Sequence, residues 1–133
     1  MGKPIMGVTV QEISGGTATA RAVFDSGSHY TIIREGALPA GTQVLEYPTP
    51  RELRTAAQGG RLLVKGITHL VFTIGDKIIE DDAMVSATLS QEAIIGAGTM
   101  QKWDITLKNE NGHTSVVVGH DMRDPDITEV DLV

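Results

Sequence analysis

The sequence predicts an all-β domain, and three observations carry that prediction. Apolar residues make up 41% of the chain but aromatics only 4%, so the core must be built mainly from Val, Ile, Leu and Ala, with β-branched side chains that suit a pleated surface. Glycine is frequent, at 15 of 133 positions, and often stands beside another turn-forming residue, as in Ser14-Gly15-Gly16 and Gly75-Asp76. Short apolar runs also alternate with polar residues at the period of a strand. The length suits one domain, taken as residues 1–120, followed by an acidic tail over 121–133.

In chain order, Ile5 to Ile13 places Met6, Val8 and Val10 on one side and Thr9 and Gln11 on the other, the pattern of a half-buried strand. Ser14-Gly15-Gly16 is a hairpin turn, and Thr17 to Phe24 runs back from it. Tyr30 to Ile33 resumes the sheet, and Arg34 to Ala37 makes a short helical turn that Leu38-Pro39-Ala40-Gly41 breaks. Val44, Leu45 and Tyr47 read as a short strand stopped by Pro48 and Pro50. Glu52 to Ala57 is extended, and Gln58-Gly59-Gly60-Arg61 turns the chain. A long strand follows from Leu62 to Ile74, with Gly66 as its bulge or bend. After Gly75-Asp76-Lys77 come Ile78 and Ile79, then a strand over Ala83 to Leu89, then the apolar strand Ala93-Ile94-Ile95 ending in Gly96. Thr99 to Trp103 is read as a short helix. Asp104 to Lys108 and Ser115 to Val118 form a last strand pair around Asn109 to Gly112, and Val130, Leu132 and Val133 could add an edge strand.

Charge and composition narrow the function. A net charge of −6 repels phosphate backbones and argues against general nucleic-acid binding. With no cysteine there is no disulfide, thiol nucleophile or thiolate metal site, and a reducing, cytoplasmic setting is expected. The opening Met1-Gly2-Lys3-Pro4-Ile5-Met6 has neither a leader's apolar core nor the hydroxyl residue a myristoylation signal needs at position 6, and no membrane span is expected. His29, His69, His113 and His120 lack metal-ligand spacing, and Asp121, Asp124 and Asp126 lack that of a calcium loop, so they read as a solvated acidic tail. Gly96-Ala97-Gly98 has no crossover unit around it to make a dinucleotide loop. Ser26, Ser28 and His29 lie too close together for a conventional hydrolase triad. No cofactor is expected. Trp103 is read as a core or interface aromatic.

The stretch that does carry chemistry is Val23-Phe24-Asp25-Ser26-Gly27-Ser28. An apolar strand delivers a carboxylate to a tight loop, a small hydroxyl residue can brace that loop, and Gly27 lets another chain come close. Asp, Ser and Gly are also ordinary turn residues, and taken alone they favour a plain turn between strands. With the Gly-tipped hairpin near Thr55 to Val64, the strand Ile94-Ile95-Gly96-Ala97 about 70 residues further on, and the short helix behind it, the order resembles the retropepsin family of retroviral-type aspartic proteases. The resemblance covers Val8 to Leu107.

That resemblance implies a closed six-stranded-type acid protease barrel with one short helix after Gly98, one lobe per chain. It makes Asp25 the catalytic carboxylate, with Ser26, Gly27 and Ser28 supporting the loop and Ser26 bracing it against its twin. The Gly27 carbonyl would accept a substrate amide, and Gln58, Gly59 and Gly60 would tip a flap. Ile32, Ile33 and Ile95 are the candidate pocket residues. His29 and Tyr30 depart from the family's usual residues after the motif. The family's chemistry uses two aspartates, and this chain has a single Asp-Ser-Gly. The expectation is therefore a homodimeric endopeptidase acting on a peptide or protein, with the tail a possible dimer contact. Two other readings are a catalytically inactive dimerisation or peptide-binding module of the same fold, and an unrelated small β-barrel.

Overall fold

The computed structural model describes residues 3–55 and 59–125. Its strands are β1 (Ile5–Gln11), β2 (Thr17–Phe24), β3 (Ile32–Arg34), β4 (Leu45–Arg54), β5 (Arg61–Ile74), β6 (Lys77–Ser86), β7 (Ala93–Ile95), β8 (Ile105–Glu110) and β9 (His113–Val118), with one α-helix, α1 (Ala97–Lys102). Seven strands form one sheet in the order β1-β2-β7-β3-β6-β5-β4, and a further pairing of β1 with β5 closes six of them into a ring. Closure removes two exposed edges, leaving β4 as an appendage of β5. The expected all-β barrel with one short helix is thus the fold observed.

Period-two alternation explains how the ring fills. β5 buries every second residue from Val64 to Ile74, and β1 buries Val8 and Val10. The main core joins Val8, Val10, Phe24, Ile33, Leu70, Phe72, Ile79, Val85, Ile95 and Trp103. A second apolar cluster, Ile32, Val64, Met84 and Leu89, sits on the other face with Tyr47, Leu53, Leu62, Ile67 and Ile94 packed on it.

Four expectations change. The chain does not stop at Pro48 and Pro50: β4 runs through both, because residues 47–50 lie in a register shift between the pairs Glu46–Gly66 and Arg51–Val64. An edge strand tolerates proline where no ladder bond is required. The irregularity belongs to β4, not to Gly66, which pairs on both sides; a Cβ there would lie 2.3 Å from the Leu45 carbonyl oxygen, so glycine is what lets β4 approach. The pieces expected at Ile78-Ile79 and Ala83 to Leu89 are one strand, β6. Its acidic middle is tied down by His69, whose Nδ1 meets Asp82 Oδ1 at 2.8 Å and whose Nε2 meets Glu80 Oε1 at 2.5 Å. Those bonds, Asp82's first, raise the His69 pKa above its ordinary value. Finally, α1 starts at Ala97, ahead of the position expected after Gly98.

The start of the acidic tail is not solvated. Asp121 is 2% exposed. It accepts the Ile78 amide at 2.9 Å and the Arg123 guanidinium at 2.9 Å, while Arg123 also donates to the Asp76 carbonyl. Hydrogen bonding from the Ile78 amide, helped by Arg123, lowers the Asp121 pKa to about 2. A depressed carboxylate stabilises the fold fully above its unfolded pKa and loses that contribution as pH falls through its folded value. Thermal melts should therefore show a loss of stability between about pH 4 and pH 2 that is smaller in Asp121→Asn, whose Tm at pH 7 should fall by several degrees. Gln58, Asp126 and the edge strand expected at Val130, Leu132 and Val133 lie outside the described residues.

Candidate active site

Asp25 is the first residue after β2. Its amide donates to the Ile95 carbonyl at 3.0 Å, and the Phe24 amide donates to Pro4 at 3.0 Å, so the loop leaves the barrel from a fixed point. The Ser28 amide closes a turn on the Asp25 carbonyl at 3.0 Å, and the Gly27 amide donates to Asp25 Oδ1 at 2.9 Å. This carboxylate-to-backbone bond sets the rotamer of the side chain. Asp25 Oδ2 accepts the Lys3 ammonium at 3.0 Å, and the Asp25 side chain is 17% exposed. Ser26 and Gly27 are exposed, and a Cβ at Gly27 would stand 3.1 Å from Asp25 Oδ1. Ser28 donates its hydroxyl to the Tyr30 carbonyl at 2.8 Å.

The strand and helix read from Ile94 to Trp103 hold this loop from behind. Ala97 and Gly98 at the start of α1 donate to the Ser28 and His29 carbonyls at 2.7 and 3.4 Å. The loop therefore serves as the helix's N-terminal cap, in place of the side-chain cap that is missing there. The Gly96 amide donates to Thr31 Oγ1 at 3.0 Å; Thr31 and Thr99 hydroxyls meet at 2.6 Å, and Thr99 reaches Asp81 Oδ2 at 2.7 Å. Asp81 as a carboxylate can only accept, so the Thr99 proton points to it, Thr31 donates to Thr99, and Gly96 donates to Thr31. This buried relay from β6 through α1 to the loop was missed in the sequence, where Thr31, Thr99 and Asp81 look like ordinary polar residues. Thr99→Val should cost about 1–3 kcal/mol, measured by urea unfolding, because Thr31 then lacks its acceptor in a site closed to water.

The predicted pocket residues separate. Ile33 and Ile95 have no exposed surface and belong to the main core, so neither is available to a ligand. Ile32, itself buried at 6% exposure, belongs to the second cluster, and the register sets the half-buried Ile94 opposite it. Since neighbouring strand residues face opposite sides, burial of Ile33 and Ile95 in one core assigns Ile32 and Ile94 to the other face. Gly59 and Gly60 close the β4–β5 hairpin, where Thr55 donates to the Gly60 carbonyl at 3.0 Å and Gly59 has φ +69°. The second cluster, Leu53 and Leu62 included, underlies that hairpin. Among the described residues, no group of three or more His, Asp or Glu side chains is placed to hold a metal ion. No helix among them is long and apolar enough to cross a membrane.

A six-strand closed barrel that ends its second strand in Asp-Ser-Gly, backed by an apolar-apolar-Gly strand and a short helix, is a retropepsin-like fold. Among solved structures, the chain is similar to the retroviral protease-like domain of Ddi1 from Leishmania major, with a TM-score of 0.57 and 12% identity over 92% of this chain and 99% of that one. At that identity the likeness is one of fold. No family model matches the sequence, and no curated protein matches it.

Proposed function

We propose that the chain is an aspartic endopeptidase that works as a homodimer, hydrolysing peptide bonds by a water activated between two Asp25 carboxylates. The observation that carries this reading is Asp25 itself: a carboxylate oriented by the Gly27 amide at the tip of a loop pinned to β7, beside an exposed Ser26-Gly27 edge. One such loop per chain supplies half of the required pair. A two-fold axis through the loops would supply the other half. Two carboxyls about 3 Å apart share one proton, because both cannot ionise at that distance. The ionised member takes a proton from water, and the protonated member polarises the scissile carbonyl and later supports protonation of the leaving amine. The substrate would lie extended across Ile32 and Ile94, under the β4–β5 hairpin, bonded strand to strand.

Peptide hydrolysis assayed between about pH 4 and 7, together with sedimentation, tests the reading. Activity per chain should rise with protein concentration as dimers form and then plateau. Cleavage whose rate per chain is independent of concentration, in a protein that sediments as a monomer, rejects it.

The inactive module has one observation in its favour. Lys3 neutralises Asp25 within a single chain, which suits a carboxylate with no chemistry to perform. A stable dimer that cleaves no peptide, with or without Lys3→Ala, would establish that reading instead.

A further inference from the structure

We propose that Arg51 is a specificity-determining residue that selects an acidic side chain in an extended peptide bound across Ile32 and Ile94. The inference rests on the peptidase reading and adds a substrate class to it. Arg51 lies directly opposite Val64 in the β4–β5 ladder, as Leu53 lies opposite Leu62. Residues directly opposite in an antiparallel pair share a face. Val64 is fully buried in the second apolar cluster, with Leu53 and Leu62 packed on the same cluster, so Arg51 is on the face of the hairpin that looks onto Ile32 and Ile94.

What holds Arg51 there is aromatic. Its guanidinium carbon lies 5.6 Å from the centroid of the Tyr30 ring and 5.7 Å from that of Tyr47. Tyr30 follows the Asp25 loop and Tyr47 comes from the shifted stretch of β4, so the contact joins flap strand to active-site loop. Arg51 forms no ion pair among the described residues, and neither do Arg21, Arg34, Arg54, Lys77 and Lys102; what sets Arg51 apart is its place between two tyrosine rings on this face. One guanidinium N–H donates to the Tyr30 hydroxyl at 3.5 Å, and with five N–H donors the group keeps others for a carboxylate, which a guanidinium fits through two parallel bonds. A net charge of −6 gives no general attraction for acidic peptides, so discrimination would be local to this subsite. Tyr30, one of the two residues that depart from the resembled family's usual motif, is then the support that aims the arginine.

The experiment uses a peptide library with an apolar residue on each side of the cut and Glu or its neutral isostere Gln at each flanking position in turn. The full chain should cleave one Glu peptide about 10- to 100-fold faster, in kcat/KM, than its Gln twin. Arg51→Met should erase that ratio, read within each Glu and Gln pair as a quotient of kcat/KM and not as an absolute rate. A second arm measures binding of the same pairs to Asp25→Asn and to the Asp25→Asn, Arg51→Met double variant, and needs no chemistry. Glu preference in binding that disappears with Arg51, in a protein that cleaves nothing, rejects the peptidase reading and keeps this one. Equal handling of Glu and Gln in binding, or a Glu preference that survives Arg51→Met, overturns it; a merely structural clamp between hairpin and loop would give that result, because it would affect both peptides alike. Arg51→Glu, which should invert the preference toward Lys, guards against a fold defect in the Met variant.

Discussion

Asp25→Asn will lose peptide hydrolysis by about 10,000-fold or more while keeping the fold. Asparagine preserves the shape of the side chain and the oxygen that accepts the Gly27 amide at 2.9 Å, so the loop keeps its orientation. What disappears is the exchangeable proton. Because one residue would supply both members of the pair, a single substitution removes the base and the acid together. Mixing makes the prediction sharper. If equal amounts of parent and Asp25→Asn chains re-equilibrate at random, about one quarter of the dimers carry two aspartates. The activity should then be about half that of the same amount of parent chain alone. A mixture with undiminished activity would mean that a single chain carries its own catalytic pair.

Gly96→Ala will show the largest loss of stability. A Cβ at Gly96 would sit 2.3 Å from the Tyr30 carbonyl oxygen, 2.6 Å from the Tyr30 carbonyl carbon and 2.8 Å from the Ser28 carbonyl oxygen. All three are backbone atoms, and the loop that bears them is also held by the amides of Ala97 and Gly98. No rotamer change can relieve the overlap; the loop must leave the helix start or the strand must open. The expected cost is about 3 kcal/mol or more, a large part of a small domain's stability, read as a fall in the urea midpoint. Gly36→Ala is the control, since its Cβ would meet nothing within 4 Å and its backbone is ordinary, and it should change stability by less than about 0.5 kcal/mol. Similar losses from both substitutions would contradict the packing described for Gly96.

Much of the fold could be read from the chain because its strands are amphipathic and its turns are chemically marked. The alternation of Met6, Val8 and Val10, the turn at Ser14-Gly15-Gly16 and the hairpin around Asn109 to Gly112 are local features, and they appear where local rules place them. The unbroken course of β4 through two prolines was hidden, since tolerance of proline depends on which strand lies beside it. Continuity of β6 through Glu80, Asp81 and Asp82 was hidden for the same reason: His69 and Thr99, from other elements, are what satisfy those carboxylates. Asp121 looked like one more tail acid until Ile78, near the start of β6, supplied an amide for it.

The class of the fold, the loop that presents Asp25 and the strand that supports it were legible in the residues alone, because they follow from apolar period, turn residues and a short ordered motif. Long-range packing alone assigns some isoleucines to the main core and others to the second cluster, links Thr31 and Thr99 between loop and helix, and sets Arg51 near two tyrosine rings. Those assignments depend on register across strands distant in sequence. A shift of one residue in that register exchanges the two faces, and no local pattern records it.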